Sequence, residues 1–186
     1  MRRPMQAPRR RGLIIFLTGL PGAGKSTLAQ TLAARLEQTG RTVTLLDGDE
    51  VRTLLSSGLG YSREHRDLNV LRISYVAAEI ARHGGVAICA QIAPYAAARA
   101  EARRRGTAVG RFLLLHVSTP IEVCERRDPK GLYAKAREGL LAGFTGVNDP
   151  YEPPLDAELS IDTQNCTPQQ AAQTVVARLR RDALLD

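Results

Sequence analysis

The stretch "GLPGAGKST", Gly19 to Thr27, decides the fold of this 186-residue chain. Gly19, Gly24, Lys25 and Ser26 meet the pattern G-x-x-x-x-G-K-[ST]. Before it runs "LIIFLT" (Leu13–Thr18), a continuous apolar run of β-formers, as expected of a strand buried on both faces. After it, Ser26 to Gln38 carries Leu28, Leu32 and Leu36 on one helical face, with Gly40 as the stop. Strand, glycine loop, helix is the context that gives the pattern its meaning. The glycines let successive backbone N–H groups turn inward onto phosphates, and the helix N-terminus adds partial positive charge. The loop residues Gly19, Leu20, Pro21, Gly22, Ala23, Gly24, Lys25, Ser26 and Thr27 are therefore expected to bind a nucleoside triphosphate. Lys25 is expected at the β- and γ-phosphates and the Ser26 hydroxyl on Mg²⁺.

Further along, short apolar runs alternate with amphipathic segments. "TVTLLD" (Thr42–Asp47), "VAICA" (Val86–Ala90), "FLLLHV" (Phe112–Val117) and "ELSID" (Glu158–Asp162) read as four more strands. Helices are expected at Asp49–Leu55, Glu64–His83 and Ala96–Arg105. Two N-terminal capping patterns follow: "TPIE", with Thr119 as cap, Pro120 first in the helix and Glu122 closing a capping box, and "TPQQ", with Thr167, Pro168 and Gln170 and a helix to about Leu184. Alternation without hairpins implies an α/β fold with a five-stranded parallel sheet covered on both faces. One interval breaks the rhythm. Residues 128–154 are polar and rich in Gly and Pro, and such long excursions in compact domains are often lids or binding loops.

Composition narrows the class. Hydrophobic residues make up 44% and charged residues 24%, ordinary values for a globular domain. The sequence contains no apolar run near the ~20 residues of a membrane span, and its N-terminus has no signal-like apolar core. A cytoplasmic location is expected. Of the net charge of +7, five units come from Arg2, Arg3, Arg9, Arg10 and Arg11, leaving the body near +2. Residues 1–11 are read as a disordered basic arm and 12–186 as a single domain. With that modest body charge and no Trp, no nucleic-acid surface is expected. The mixed run "ARAEARRRG" is read as a solvated helix face. Cys89, Cys124 and Cys166 are odd in number and lack metal spacing, which favours reduced, small apolar roles.

The receiving side of the reaction must come from elsewhere. No N-K-x-D base reader occurs, which favours an ATP-using enzyme over a guanine-nucleotide switch. In "LLDGDEVR", Asp47 and Asp49 fall at the C-terminal edge of the second strand, where open α/β sheets bind ligands. Asp49 is a candidate to orient or deprotonate an acceptor hydroxyl and Asp47 to assist Mg²⁺ through water. Asp49 also suits a helix N-cap. Arg52 follows Asp49 at helical spacing, and Arg66 and Asn69 repeat that spacing after Tyr61, a set suited to an anionic, nucleotide-like acceptor.

The strings "GLPGAGKST", "LLDGDEVR", "GYSREHRDLN", "APY", "VCERRDPKGLY", "GFTG" and "NDPYEPP" occur in the order seen in adenylylsulfate kinases, and over roughly residues 12–163 the chain resembles that family. The resemblance implies a P-loop kinase fold and phosphorylation of the 3′-hydroxyl of adenosine 5′-phosphosulfate (APS) by Mg·ATP, giving 3′-phosphoadenosine 5′-phosphosulfate and ADP in sulfate activation. It implies an acceptor site of Asp49, Arg52, Tyr61 (usually Phe), Arg66, Asn69, the backbone of Ile92 and Ala93, Lys130, and Phe144 closing over the acceptor adenine. It also implies a lid at 128–154, Arg127 near the phosphates, and a turn of Asn165, Cys166, Thr167 and Pro168 beside the ATP adenine. A homodimer is implied, and coupling to ATP sulfurylase is a further possible partnership.

Two departures stand out. Many relatives read "ISPY", with a serine ascribed a phosphoserine intermediate, where this chain reads "IAPY". Ala93 has no hydroxyl, so either transfer is direct or activity is lost. The loop reads "LPGAGKS" against the frequent "LSGSGKS", which removes only the N–H of Pro21. Another small-molecule P-loop kinase would keep the loop and the Asp pair, but has no need of Tyr61, Arg66, Asn69 and Phe144 together. A degenerate nucleotide-binding subunit would fit Ala93, but not the intact Lys25, Ser26 and Asp49.

Overall fold

A computed structural model describes residues 11–185. The expected arm therefore lies outside the described residues except for Arg11, whose carbonyl accepts from Arg41 Nη2 at 2.9 Å. Five strands form one sheet: β1 (Leu13–Thr18), β2 (Val43–Asp47), β3 (Val86–Ala90), β4 (Arg111–Val117) and β5 (Leu159–Ile161). Their order is β2-β3-β1-β4-β5 and every pairing is parallel. β1 sits in the middle because all six of its residues are buried, as the unbroken apolar run requires. After β1 and β2 the order doubles back, so the loop leaving β1 opens at the carboxyl edge of the sheet where α/β folds hold ligands.

Among the described residues, seven helices cover the sheet: α1 (Lys25–Glu37), α2 (Gly48–Leu54), α3 (Arg63–Arg82), α4 (Ala96–Thr107), α5 (Ile121–Arg127), α6 (Leu132–Arg137) and α7 (Pro168–Arg181). One core lies on the α1/α7 face, where Leu28, Leu32 and Leu36 meet Ala172, Val175 and Leu179 against alternate residues of the sheet. The other lies under α3 and α4, with Phe16 and Phe112 stacked at 6.0 Å. Truncating a fully buried leucine such as Leu32 in such a core costs about 2–5 kcal/mol.

Most boundaries agree with the sequence within two residues. α7 is shorter, ending at Arg181. Its cap behaves as expected: Thr167 and Gln170 form the reciprocal capping box, with Pro168 in the first turn. The other cap is corrected. α5 starts after Pro120 with no side-chain cap. The Thr119 hydroxyl instead donates to the Ala23 carbonyl at 3.0 Å, tying the end of β4 to the glycine loop. α6 was not expected within 128–154. Its sequence is short and polar, but the Asp128 carboxylate accepts from the N–H groups of Leu132, Tyr133 and Ala134 at 2.9–3.1 Å and so starts the helix from outside it.

Candidate active site

The glycine loop is set by its backbone. Gly24 has φ 96°, a left-handed conformation, and an added Cβ would lie 3.1 Å from Thr163 Oγ1. Thr163 closes the underside: its hydroxyl donates to Ala23 O at 2.8 Å. Lys25 is buried, and its ammonium donates to the carbonyls of Gly19 and Leu20 at 3.0 and 2.8 Å. Burial pulls its pKa down to about 8, against the smaller opposing pull of nearby Asp47 and Asp49. The Ser26 hydroxyl donates to Asp47 Oδ2 at 2.6 Å. The other oxygen of Asp47 accepts from Asp49 N at 3.0 Å, so Asp47, and not Asp49, is the N-cap of α2. That leaves the exposed Asp49 carboxylate outside the helix's own needs, paired with Lys130.

A cleft of about 780 Å³ joins these groups to the rest of the expected site. Its walls include Pro21, Gly22, Gly24, Lys25, Ser26 and Thr27 from the loop and Asp47, Asp49 and Arg52 from β2 and α2. Tyr61, Arg66 and Asn69 line it, as do Ile92 and Ala93 after β3 and Arg127, Lys130 and Phe144. Cys166, Thr167 and Pro168 line it beside α1. Gly19, Leu20, Ala23 and Asn165 are outside its walls. Gly19 and Leu20 act through carbonyls on Lys25, and Ala23 is wholly buried.

The side of the cleft expected to take the acceptor is held by side chains on neighbouring loops. Arg52 donates to the carbonyls of Leu59 and Gly60 at 3.3 and 3.0 Å, and its guanidinium lies 4.6 Å from the Tyr61 ring centroid. Arg66 donates through Nε to Tyr61 O at 2.8 Å and through Nη1 to Thr145 Oγ1 at 2.6 Å, and it also bonds Gly143 O. It therefore links α3 to the tip of the excursion. Tyr61 is 64% exposed, whereas Phe144 is buried and meets Tyr133 edge-on at 4.9 Å. Tyr133 OH donates to Pro21 O at 2.9 Å, and Arg127 donates to Thr163 Oγ1 at 2.8 Å and Thr163 O at 2.9 Å. Both contacts fasten the base of the excursion to the phosphate loop or its support.

Ala93 takes φ 43°, a left-handed angle that strains a residue with a Cβ. Its carbonyl accepts from Arg99 Nη1 at 2.7 Å, and Thr18 Oγ1 donates to Ile92 O at 2.6 Å. Arg99 also donates to Glu152 O at 2.6 Å, and Tyr95 OH to the Asp149 carboxylate at 3.0 Å. The "NDPYEPP" segment thus braces the strained turn. Sequence reasoning missed Thr18, Arg99, Tyr133 and Thr163, because each acts across a long sequence separation that no local pattern reports. It also missed Gln91, a buried cleft residue whose amide nitrogen and oxygen have no partner. Leaving such groups unpaired costs about 1–3 kcal/mol each.

A phosphate loop at the switch point of a parallel sheet, opening onto a second cation-lined recess, is the arrangement of the P-loop kinase fold. The sequence pattern of the family described as Adenylylsulphate kinase matches residues 11–162. The chain is 46% identical over 171 residues to an adenylyl-sulfate kinase of Synechococcus sp. (strain JA-2-3B'a(2-13)), covering 92% of this chain and 96% of that one. It is 46% identical over 175 residues to a sulfate adenylyltransferase of Phaeosphaeria nodorum, covering 94% of this chain and 30% of that one. It thus spans about a third of the length of such longer curated relatives. The structure of the Mycobacterium tuberculosis APS kinase in complex with AMPPNP and APS superimposes with a TM-score of 0.88 at 38% identity, covering 92% of this chain and 99% of that chain. The chain belongs to the adenylylsulphate kinase family. Among the described residues, no helix is long and apolar enough to cross a membrane.

Proposed function

We propose that the protein transfers the γ-phosphoryl group of ATP to the 3′-hydroxyl of APS. The observation that carries this is the exposed Asp49 carboxylate, freed from capping by Asp47, in one cleft with the phosphate loop and the cations Arg52, Arg66 and Lys130. The loop amides and Lys25 hold the β- and γ-phosphates, with the turn at 165–168 beside the ATP adenine. Arg66, Asn69 and the Ile92–Ala93 backbone hold the acceptor's anionic tail, and Tyr61 and Phe144 flank its adenine. Asp49 orients the 3′-hydroxyl and takes its proton as the new O–P bond forms and the bond to the ADP oxygen breaks. Lys130 moves from Asp49 to the phosphates, where with Arg127 it neutralises developing charge. With Ala93 lacking a hydroxyl, transfer is direct.

Mg²⁺ fits this site: Ser26 Oγ and Asp47 Oδ2 already lie 2.6 Å apart at the loop, a hydroxyl and a carboxylate of the kind that hold Mg²⁺ alongside phosphates and water. When bound, the ion neutralises β- and γ-phosphate charge. The excursion at 128–154 serves as the lid that excludes water. The domain comprises residues 12–186, acts in the cytoplasm as a homodimer, and hands on the product of ATP sulfurylase. Purified protein with Mg·ATP should release ADP stoichiometrically with APS consumed. ATP turnover no faster with APS than without it would refute the assignment.

A further inference from the structure

Gln91 directly follows β3 and is 4% exposed. Its backbone N–H donates to Leu17 O at 3.3 Å. In its side chain, Nε2 and Oε1 are both buried and both lack a partner. Buried polar atoms in folded proteins are overwhelmingly paired. A glutamine that only filled space would be replaced without loss by leucine, so two orphaned atoms on one carboxamide point to a missing partner.

The surroundings identify that partner by charge. Gln91 lines the same cleft as Arg66 and Asn69 of α3. A Cβ added to Gly48, between Asp47 and Asp49, would lie 3.7 Å from Gln91 Cγ, so the side chain packs against the start of α2. Asn69 Oδ1 is a third buried, unpartnered atom on this wall. Ala93, two residues on, is buried and offers no side-chain donor. Arg66, whose guanidinium rests on Tyr61 O, Thr145 Oγ1 and Gly143 O, and the amides of Asn69 and Gln91 line one cleft, and their N–H groups form a donor set suited to phosphate or sulfate oxygens once those local acceptors are exchanged for ligand.

We infer that Gln91 is a binding residue for the anionic tail of the acceptor, its amide N–H donating to a phosphate or sulfate oxygen of APS. This rests on the acceptor assignment above. The carboxamide's oxygen is left for a water that enters with the ligand.

The test uses Gln91→Leu, which keeps the volume, and Gln91→Glu, which places a negative charge against the tail. The KM for APS should rise about tenfold in the leucine variant, the loss of one hydrogen bond to a charged group. It should rise roughly a hundredfold or more in the glutamate variant, from like-charge repulsion. The KM for ATP should stay within about twofold in both, and the leucine variant should melt no lower than the parent. An unchanged KM for APS in both variants overturns the inference. So does a parallel rise of both KM values with a lower melting temperature, which marks a packing role. Equilibrium titration of the parent protein with APS separates the two claims. If the parent neither binds nor phosphorylates APS, the acceptor assignment falls and takes the inference with it. If the parent binds and the variants bind equally well, only the inference falls.

Discussion

The two halves of the cleft are built by different means. The donor half is a backbone object: nine consecutive residues, Gly19–Thr27, buttressed from beneath by Thr119 and Thr163, with its lysine buried. The acceptor half is a side-chain object, assembled from α2, the turn before α3, α3 itself, the end of β3 and the excursion. Its cations rest on carbonyls and on Asp49, and Tyr61 lies open to solvent. Backbone amides hold their geometry whether or not phosphate is bound. Arginines and a lysine engaged with local acceptors must exchange those partners for ligand. On the function proposed above, the donor half is preorganised and the acceptor half is completed by its substrate.

Asp49→Asn tests this division most strongly. Turnover with APS should fall by well over ~100-fold while the affinity for an ATP analogue is kept. A matching loss of ATP affinity would merge the halves, and full activity would leave Asp49 without a chemical role.

The buried lysine sharpens the donor half. Folded Lys25 titrates near 8, below its ordinary 10.5, because burial disfavours the ammonium. Between those values the unfolded chain binds more protons, so this residue's contribution to stability rises with pH across the window. Bound phosphates favour the ammonium, so ATP-analogue affinity should fall as pH climbs above about 8, by at most ~tenfold per pH unit. Calorimetric titration across pH 7–10, in buffers of differing ionisation enthalpy, should show proton uptake on binding. Flat affinity with no uptake would mean that Lys25 stays charged in the free protein.

The smallest expected effect lies at the rim. Thr167→Ala removes one arm of the capping box at α7 and should cost about 1 kcal/mol, or roughly 2–4 °C in melting temperature for a domain of this size. A drop several times larger by calorimetry would show that the turn carries load beyond its helix.

The same division explains what the sequence made legible. The donor half is local, so one string announced its residues, and the strands beside it were readable as unbroken apolar runs. The acceptor half is scattered: spacing made Arg52, Tyr61, Arg66 and Asn69 a set suited to an anionic acceptor, and the family resemblance gave that acceptor an identity. Asp49 was open between cap and chemistry, because spacing cannot say which of two aspartates the helix uses. The geometry gives the cap to Asp47. "TPIE" read as a cap, yet a tertiary partner, the Ala23 carbonyl, claims the Thr119 hydroxyl. α6 was hidden because its starting group, Asp128, lies outside the helix it initiates. Gln91 gave no signal, since a single glutamine at a strand end has no period.

The ion pair between Lys130 and Asp49 bears on thrift with nucleotide. On the role proposed for Asp49, an ammonium seated on that carboxylate leaves a stray water near the terminal phosphorus no base to receive its proton. On that same proposed role, only a guest that draws Lys130 away would arm the carboxylate, which would give the chain a safety catch against idle hydrolysis.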